Sequence, residues 1–292
     1  KIQFNVDEDF YIQGQTYDLS YRIKNQGLGN SIGSVTVNIE SSIFENEQII
    51  LNDLDSWEIY EGSISITIPS YLGGGSIVEL TISVHDDIDY TFNEAVNLLI
   101  GEPELLFSDD AENGMNNWIT SEWGLSQDEF EGNYSFSDSP QGDYLGDWST
   151  STMSLQTPLD FSDVSDAYLQ ITSKWIIEEG WDWAQVLASM NGQDWVPLQG
   201  SYMSGGNGQG VQILNEYGYD GDSDWITDNI SLSEFAGVEQ LYLQFKLSSD
   251  GYVVEDGIYI DNIKVFGYGS SSIMLGDING DGLVNVIDIV NV

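Results

Sequence analysis

The chain of 292 residues has no cysteine, one histidine and six basic side chains against 49 acidic ones. Without cysteine there are no disulfides, no thiolate metal sites and no cysteine nucleophile, and the redox compartment stays open. His85 is the only imidazole, so an H-E-x-x-H zinc hydrolase site is excluded. A Ser-His-Asp set would have to use this one residue, at the end of a predicted strand beside Asp86 and Asp87. Arg22 is the sole arginine, which argues against a site built to recognise anions. The Gly-rich runs at 73–75 and 205–210 precede no Lys-Ser/Thr and open no predicted helix, so they are not phosphate cradles. No apolar run approaches the ~20 residues that span a bilayer. The chain opens at Lys1 with neither an initiator Met nor a signal-type segment, as expected of a mature product or of part of a longer protein.

The formal charge is −43, which excludes an ordinary nucleic-acid or anionic-membrane binder. Uncompensated charge of this size repels itself in the compact state unless salt or bound cations relieve it. At about 1 M salt the Debye length is about 3 Å, against about 8 Å at physiological ionic strength, so a saline, calcium-containing medium such as seawater suits this surface. Oxygen ligands are plentiful and soft ligands absent, which makes Ca2+ the expected cofactor. With 41% hydrophobic residues, nine Trp, sixteen Tyr and eleven Phe, the chain is no disordered acidic tail; it has the material for packed cores.

Residues 1–102 carry short alternating runs, YDLSYRIKN at 17–25, SVTVNIES at 34–41, GSISITIPS at 62–70 and SIVELTISVHD at 76–86. Period-two patterning broken by QGLGN and LGGG turns predicts an antiparallel β-sandwich. Pro103 holds Glu102 extended and marks a domain boundary. Over 103–269 the predicted strands are LQITSKWII at 169–177, WAQVLASMNG at 183–192, EQLYLQFKLSSD at 239–250 and GIYIDNIKVFGY at 257–268, and eight of the nine Trp fall between Trp118 and Trp225. This is again two-sheet patterning, with longer loops. Residues 270–292 form a linker and a calcium-loop segment. The expected fold is all-β, with two sandwiches and a short C-terminal loop of EF type.

The first segment, with YRIKNQGLGN and a Gly-led SIVELTISV, resembles the Ig-like adhesion-type repeats found beside catalytic domains of secreted bacterial proteins. In the second, LLFSDDAENGMNNW, SKWIIEEGWDWAQVLASMNGQDWVPLQGSY, GYDGDSDWITDNISLSEFAGVEQLYLQFKLSSD and DGIYIDNIKVFG follow in order. Together they resemble the MAM-like jelly-roll modules C-terminal to the catalytic domains of immune-inhibitor-A-type metallopeptidases and zinc carboxypeptidases. The family's signatures match at Trp225, Leu232, Ser233, Phe235, Ala236 and Gly237, and again at Asp256, Gly257, Asp261, Asn262 and Ile263. The resemblance makes these structural residues.

Such sandwiches pair their terminal strands, which brings Asp109, Asp110 and Glu112 next to Asp261. Carboxylates converging from both chain ends repel unless a cation lies between them, and calcium takes six to eight oxygens. A structural calcium on Asp110, Glu112 and Asp261 is therefore expected, as the resemblance also implies. Glu178, Glu179 and Asp182, set among Trp175, Trp181 and Trp183, admit catalysis by a carboxylate pair, a glycan or peptide platform, or packing and calcium. Trp123, Trp148, Trp181 and Trp183 are the candidate ligand contacts.

Residues 277–288 read D-I-N-G-D-G-L-V-N-V-I-D. Asp277, Asn279 and Asp281 occupy positions 1, 3 and 5, Gly282 supplies the turn, Leu283 offers its carbonyl at 7, and Asn285 and Asp288 fall at 9 and 12. This is the spacing of an EF-type calcium loop, and Asp at 12 with Asn at 9 resembles a dockerin repeat. A dockerin has two such repeats and small hydroxylated residues at positions 10 and 11, where this chain has Val286 and Ile287 and then only four residues beyond the loop. Cohesin recognition is thereby put in doubt.

The expected protein is a non-enzymatic, calcium-stabilised, extracellular accessory or adhesion region of a secreted peptidase, partnered by its parent catalytic domain or by a surface polymer. The alternatives are a carbohydrate-binding module using the Trp-rich loops, and a calcium-dependent, self-associating surface fibre. Calcium removal is expected to cost most of the thermal stability; an unchanged melting temperature in excess chelator would contradict the structural calcium.

Overall fold

The computed structural model of the chain describes residues 2–5, 8–31, 33–44, 46–52, 54–86 and 91–269, the side chains of 2–5 excepted. The predicted loop ligands Asp277, Asn279, Asp281, Leu283, Asn285 and Asp288, with the segment leading to them, lie outside the described residues. The described chain divides into two compact units at Glu102/Pro103, the second ending at Gly269.

The first unit holds β1 (Ile2–Asn5), β2 (Thr16–Lys24), β3 (Ser34–Ser41), β4 (Glu47–Asn52), β5 (Ile59–Thr67), β6 (Ile77–His85) and β7 (Thr91–Leu99). They form a three-stranded sheet, β1-β2-β5, and a four-stranded sheet, β4-β3-β6-β7, all antiparallel. Alternate residues point inward, as period two requires: Leu19, Tyr21 and Ile23 from β2 and Ile64 and Ile66 from β5 share a core with Val37, Ile39, Leu80 and Ile82 of the other sheet. This is an Ig-like sandwich. The strands β4 and β7 escape sequence patterning because exposed polar residues such as Gln48, Asn93 and Glu94 dilute their alternation.

The second unit holds β8 (Glu104–Asp109), β9 (Trp118–Ser121), β10 (Gly124–Ser126), β11 (Ser135–Ser137), β12 (Thr150–Leu155), β13 (Val164–Ile177), β14 (Trp183–Ser189), β15 (Val196–Pro197), β16 (Ser204–Gly205), β17 (Tyr217–Gly218), β18 (Gly221–Ser231), β19 (Tyr242–Ser248) and β20 (Gly257–Gly269). One sheet runs β10-β11-β20-β13-β18, with β8 also paired to β20; the other runs β15-β14-β19-β12-β9. Period-two alternation is visible where Leu169 and Ile171 of β13 and Val186 and Ala188 of β14 meet in one core with Trp118, Phe136 and Phe245. The Trp118 ring meets Phe136 at 5.8 Å and Phe245 at 5.7 Å, both edge-on, the arrangement the ring quadrupoles favour.

Two local departures from regular strand geometry position side chains in this unit. On β20, Ile258, Ile260, Ile263 and Val265 all reach the core, which strict alternation forbids. The slip occurs at Asp261–Asn262, where the register with β13 shifts and Asn262 takes a φ of 49°; a bulge of this kind re-aims a side chain. On β14 every residue is buried, because the 199–219 segment covers its outer face. Backbone closes on Trp183 there: a Cβ at Gly218 would stand 3.0 Å from the Trp183 ring.

Phe245 is 1% exposed and touches both Trp118 and Trp123. Phe245→Ala is expected to destabilise the second unit by about 3–5 kcal/mol, read as a lowered denaturant midpoint; a loss under about 1 kcal/mol would mean that this ring cluster does not hold the sandwich.

Candidate calcium and ligand-binding sites

The terminal strands of the second unit lie side by side, with Asp109 opposite Ile263. Asp109 is buried and occupied locally: it accepts hydrogen bonds from the Ala111 amide (3.1 Å), Asn117 Nδ2 (2.8 Å) and Trp118 Nε1 (2.9 Å). Glu112 and Asp261 instead reach one shared loop, 128–134. Glu112 accepts the amides of Asn133 (2.6 Å) and Tyr134 (2.9 Å) and Asn133 Nδ2 (2.8 Å). Asp261, fully buried, accepts the amides of Phe130 and Glu131, each at 3.1 Å, and that of Asn262 at 2.7 Å. Gly132, with φ 84°, is needed between them, since a Cβ there would strike the Glu112 carboxylate.

Asp110, Glu112 and Glu131 line one pocket of about 490 Å3 at this junction, with Asn262 and Lys264. Burial raises the Asp261 carboxyl above its ordinary pKa, and Asp110 adds to the rise, while its three amide donors oppose it. The Asn133 side chain and amide hold Glu112 below the ordinary value. Of the three predicted ligands, Asp110 and Glu112 line this pocket together with Glu131, whereas Asp261 lies buried outside its lining, its carboxylate accepting three backbone amides. The donor set consists of hard oxygens that fit calcium.

A second group forms at the far ends of three other strands. Glu178 follows β13, Asp182 precedes β14 and Asp250 follows β19, and each offers a carboxylate oxygen within 4.8 Å of the others. The turn between Glu178 and Asp182 is closed by Asp182 N to Glu178 O at 3.2 Å. Asp182, fully buried, accepts the Asp250 amide (2.6 Å) and the Tyr144 hydroxyl (2.8 Å), which in turn accepts the Glu178 amide (3.2 Å). Burial raises the pKa of both Glu178 and Asp182; Asp182 and Asp250 raise Glu178 further, and Asp250 raises Asp182. Of this trio the sequence pattern shows Glu178 and Asp182, but the third partner is Asp250 and not Glu179. Only strand pairing brings Asp250 there, across 68 residues.

The tryptophans sort into packed and exposed. Trp123 is 5% exposed and Trp183 1% exposed, so neither offers a ring to a ligand: Trp123 packs on Phe245 and Trp183 lies under the 199–219 segment. Trp148 at 64% and Trp181 at 43% are open. Both Asp147 and Trp148 have left-handed backbone, and Gly251 packs directly on them. That contact joins two loops that carry the exposed side chains Leu145, Trp148, Tyr252 and Val253, and Leu145 and Ser149 of the first loop line a cleft of about 240 Å3 with Gln141 and Asp143. Tyr252 carries no signal in the sequence beyond its type. His85 is used structurally, its Nε2 paired with Asn38 Nδ2 at 2.8 Å on the adjoining strand.

No protein-family model matches the chain, and no curated protein sequence does. Among solved structures it is similar to a carbohydrate-binding module of the β-sandwich superfamily, with 10% identity, a TM-score of 0.32, and 91% of this chain and 97% of that one covered. A CBM22-1 xylan-binding domain from Paenibacillus barcinonensis matches 58% of this chain and 97% of its own at 10% identity and a TM-score of 0.35. A mannan-recognising module matches 57% and 98% at 18% identity and a TM-score of 0.30. At scores of this size the fold of the chain rests on its own strand pairing, and its function on its own residues.

Asp138, in the wall of the cleft, is 2% exposed; its Oδ1 accepts the Ile258 amide at 2.7 Å and its Oδ2 has no partner. Burial pushes its carboxyl from 3.8 up to about 7. Between these values the folded chain keeps a proton that the unfolded chain has lost, so this group's contribution to stability falls as pH rises through the window and stays low above it. Asp138→Asn keeps the acceptor for Ile258 and removes the titration. The variant is expected to gain in melting temperature over the parent at pH 8 and to lose that gain at pH 4.5; parallel curves would contradict the burial of a proton here.

Proposed function

We propose that the chain is a non-catalytic, calcium-stabilised extracellular binding region, whose second sandwich attaches to a carbohydrate polymer through the patch of Trp148, Leu145 and Tyr252. The observation that carries this reading is the Trp148 ring. It stands open on a loop pair locked by Gly251, next to a cleft with Gln141, Asp143 and Ser149 as polar partners. A rigid, exposed aromatic face beside a few polar groups suits the apolar face and hydroxyl edge of a sugar ring. Exposed apolar side chains gathered from two loops mark an interaction surface, not a scatter of single residues.

Calcium enters as a stabiliser. Asp110, Glu112 and Asp261, with Glu131, hold it where the first and last strands of the unit meet; the ion supplies the positive charge that these residues lack. The chain's own part is to fix the 128–134 loop through the amides of Phe130, Glu131, Asn133 and Tyr134, donated to Asp261 and Glu112. The motif order of 105–267 supports a place beside a secreted peptidase, where such a module would anchor the parent enzyme to its surroundings.

Affinity electrophoresis against a panel of soluble polysaccharides tests the glycan contact. The parent chain is expected to be retarded by at least one polymer, with Trp148→Ala reducing the apparent affinity by about tenfold or more, on the order of 1.4 kcal/mol. Trp123→Phe, a core substitution, leaves retardation in place. Full retardation of the Trp148→Ala variant, or no retardation of the parent on any polymer, would contradict the reading.

A further inference from the structure

The geometry points to a second divalent-cation site, held by Glu178, Asp182 and Asp250, which takes calcium and pins the two sheets of the second unit together at the end that carries Trp148. This site is distinct from the strand-end calcium at Asp261, and it stands whether or not the patch binds a glycan.

Three observations carry it. The carboxylate oxygens of the three residues lie within 4.8 Å of one another, close enough for a single ion to touch all of them. None of the three forms an ion pair among the described residues, where the salt bridges are Arg22–Glu61 and Lys174–Asp128. Independently of the carboxylate spacing, two buried oxygens in the cluster are left over. Glu178 Oε2 is shut off from solvent without a hydrogen-bond partner. Ser249 is fully buried, and its Oγ, next to the Asp182 carboxylate, reaches no partner at hydrogen-bond geometry. Buried oxygens are rarely left unpaired without a reason such as an ion.

The chemical class follows from the donors. All are hard oxygens, the site is built from three separate chain segments, and it offers three carboxylates and a hydroxyl, with water completing a shell of six to eight. That suits calcium better than magnesium, which demands a near-ideal octahedron and sheds water reluctantly. Glu178 extends from β13 in one sheet, whereas Asp182 and Asp250 flank β14 and β19 in the other, so an ion here bridges the sheets. Tyr144, bonded to Asp182, leads into Leu145 and Trp148, and Asp250 leads into Gly251 and Tyr252. The cation therefore sets the base of both loops of the patch.

Isothermal titration of the chelator-stripped full chain with calcium tests this. The parent is compared with Glu178→Gln/Asp250→Asn and with Asp261→Asn. The double variant is expected to take up one calcium equivalent fewer than the parent while keeping the equivalent that Asp261→Asn loses. An unchanged stoichiometry with unchanged affinities would overturn the site. Should the double variant fail to fold, Glu178→Gln alone decides: Glu178 is the partly exposed member, and its loss is expected to weaken one calcium step by about tenfold or more, whereas identical titrations would overturn the proposal.

Discussion

Asp109, Asp138, Asp182, Asp228, Asp250 and Asp261 are all buried, and none of them is in an ion pair among the described residues. A carboxylate removed from water must find other compensation. In this chain the compensation comes chiefly from backbone N–H groups. Asp228 accepts the Ser201 amide and the Tyr219 hydroxyl, Asp261 takes three amides, and Asp182 takes the Asp250 amide and the Tyr144 hydroxyl. Such charge-assisted bonds are short and strong, and each ties a loop to a strand end. The second sandwich has its long loops in fixed places because buried acids hold them, and a bound cation would offset the cost of that burial.

The two candidate cation sites answer that demand at different places. At the β8/β20 junction, Glu112 and Asp261 clasp the 128–134 loop from two sides. At the other group, Glu178, Asp182 and Asp250 join strand ends of both sheets. Each combines a fully buried aspartate with a more exposed glutamate. The acidic composition divides accordingly: part of the negative charge is gathered by the fold at these two places, and the remainder is left for the medium to screen.

Strands with clean alternation are legible in the sequence. SVTVNIES is β3 residue for residue, the runs beginning at Leu169 and Gly257 fall within β13 and β20, and the run from Trp183 contains β14. Short strands are not legible, among them β9, β10 and β11, whose three or four residues cannot display a period. The sites divide in the same way. The placing of the Asp109 end of β8 beside β20 at Ile263 follows from pairing of terminal strands, whereas Asp250 joins Glu178 and Asp182 only through the β14–β19 ladder. Exposure is the least legible property: Trp181 and Trp183 are two residues apart, yet one is open and the other covered, because the 199–219 segment folds back over β14.

Hydrogen exchange of the full chain, with calcium and after its removal, probes the central dependence directly. The amides of Phe130, Glu131, Asn133, Tyr134 and Asp250 are held by carboxylates of the two proposed cation sites, and the β13–β20 ladder is not. Removal of calcium is predicted to speed exchange at those five amides by about tenfold or more while the ladder keeps its protection. Equal rates at the five amides in both states would contradict the claim that cations hold the acid-clasped loops in place.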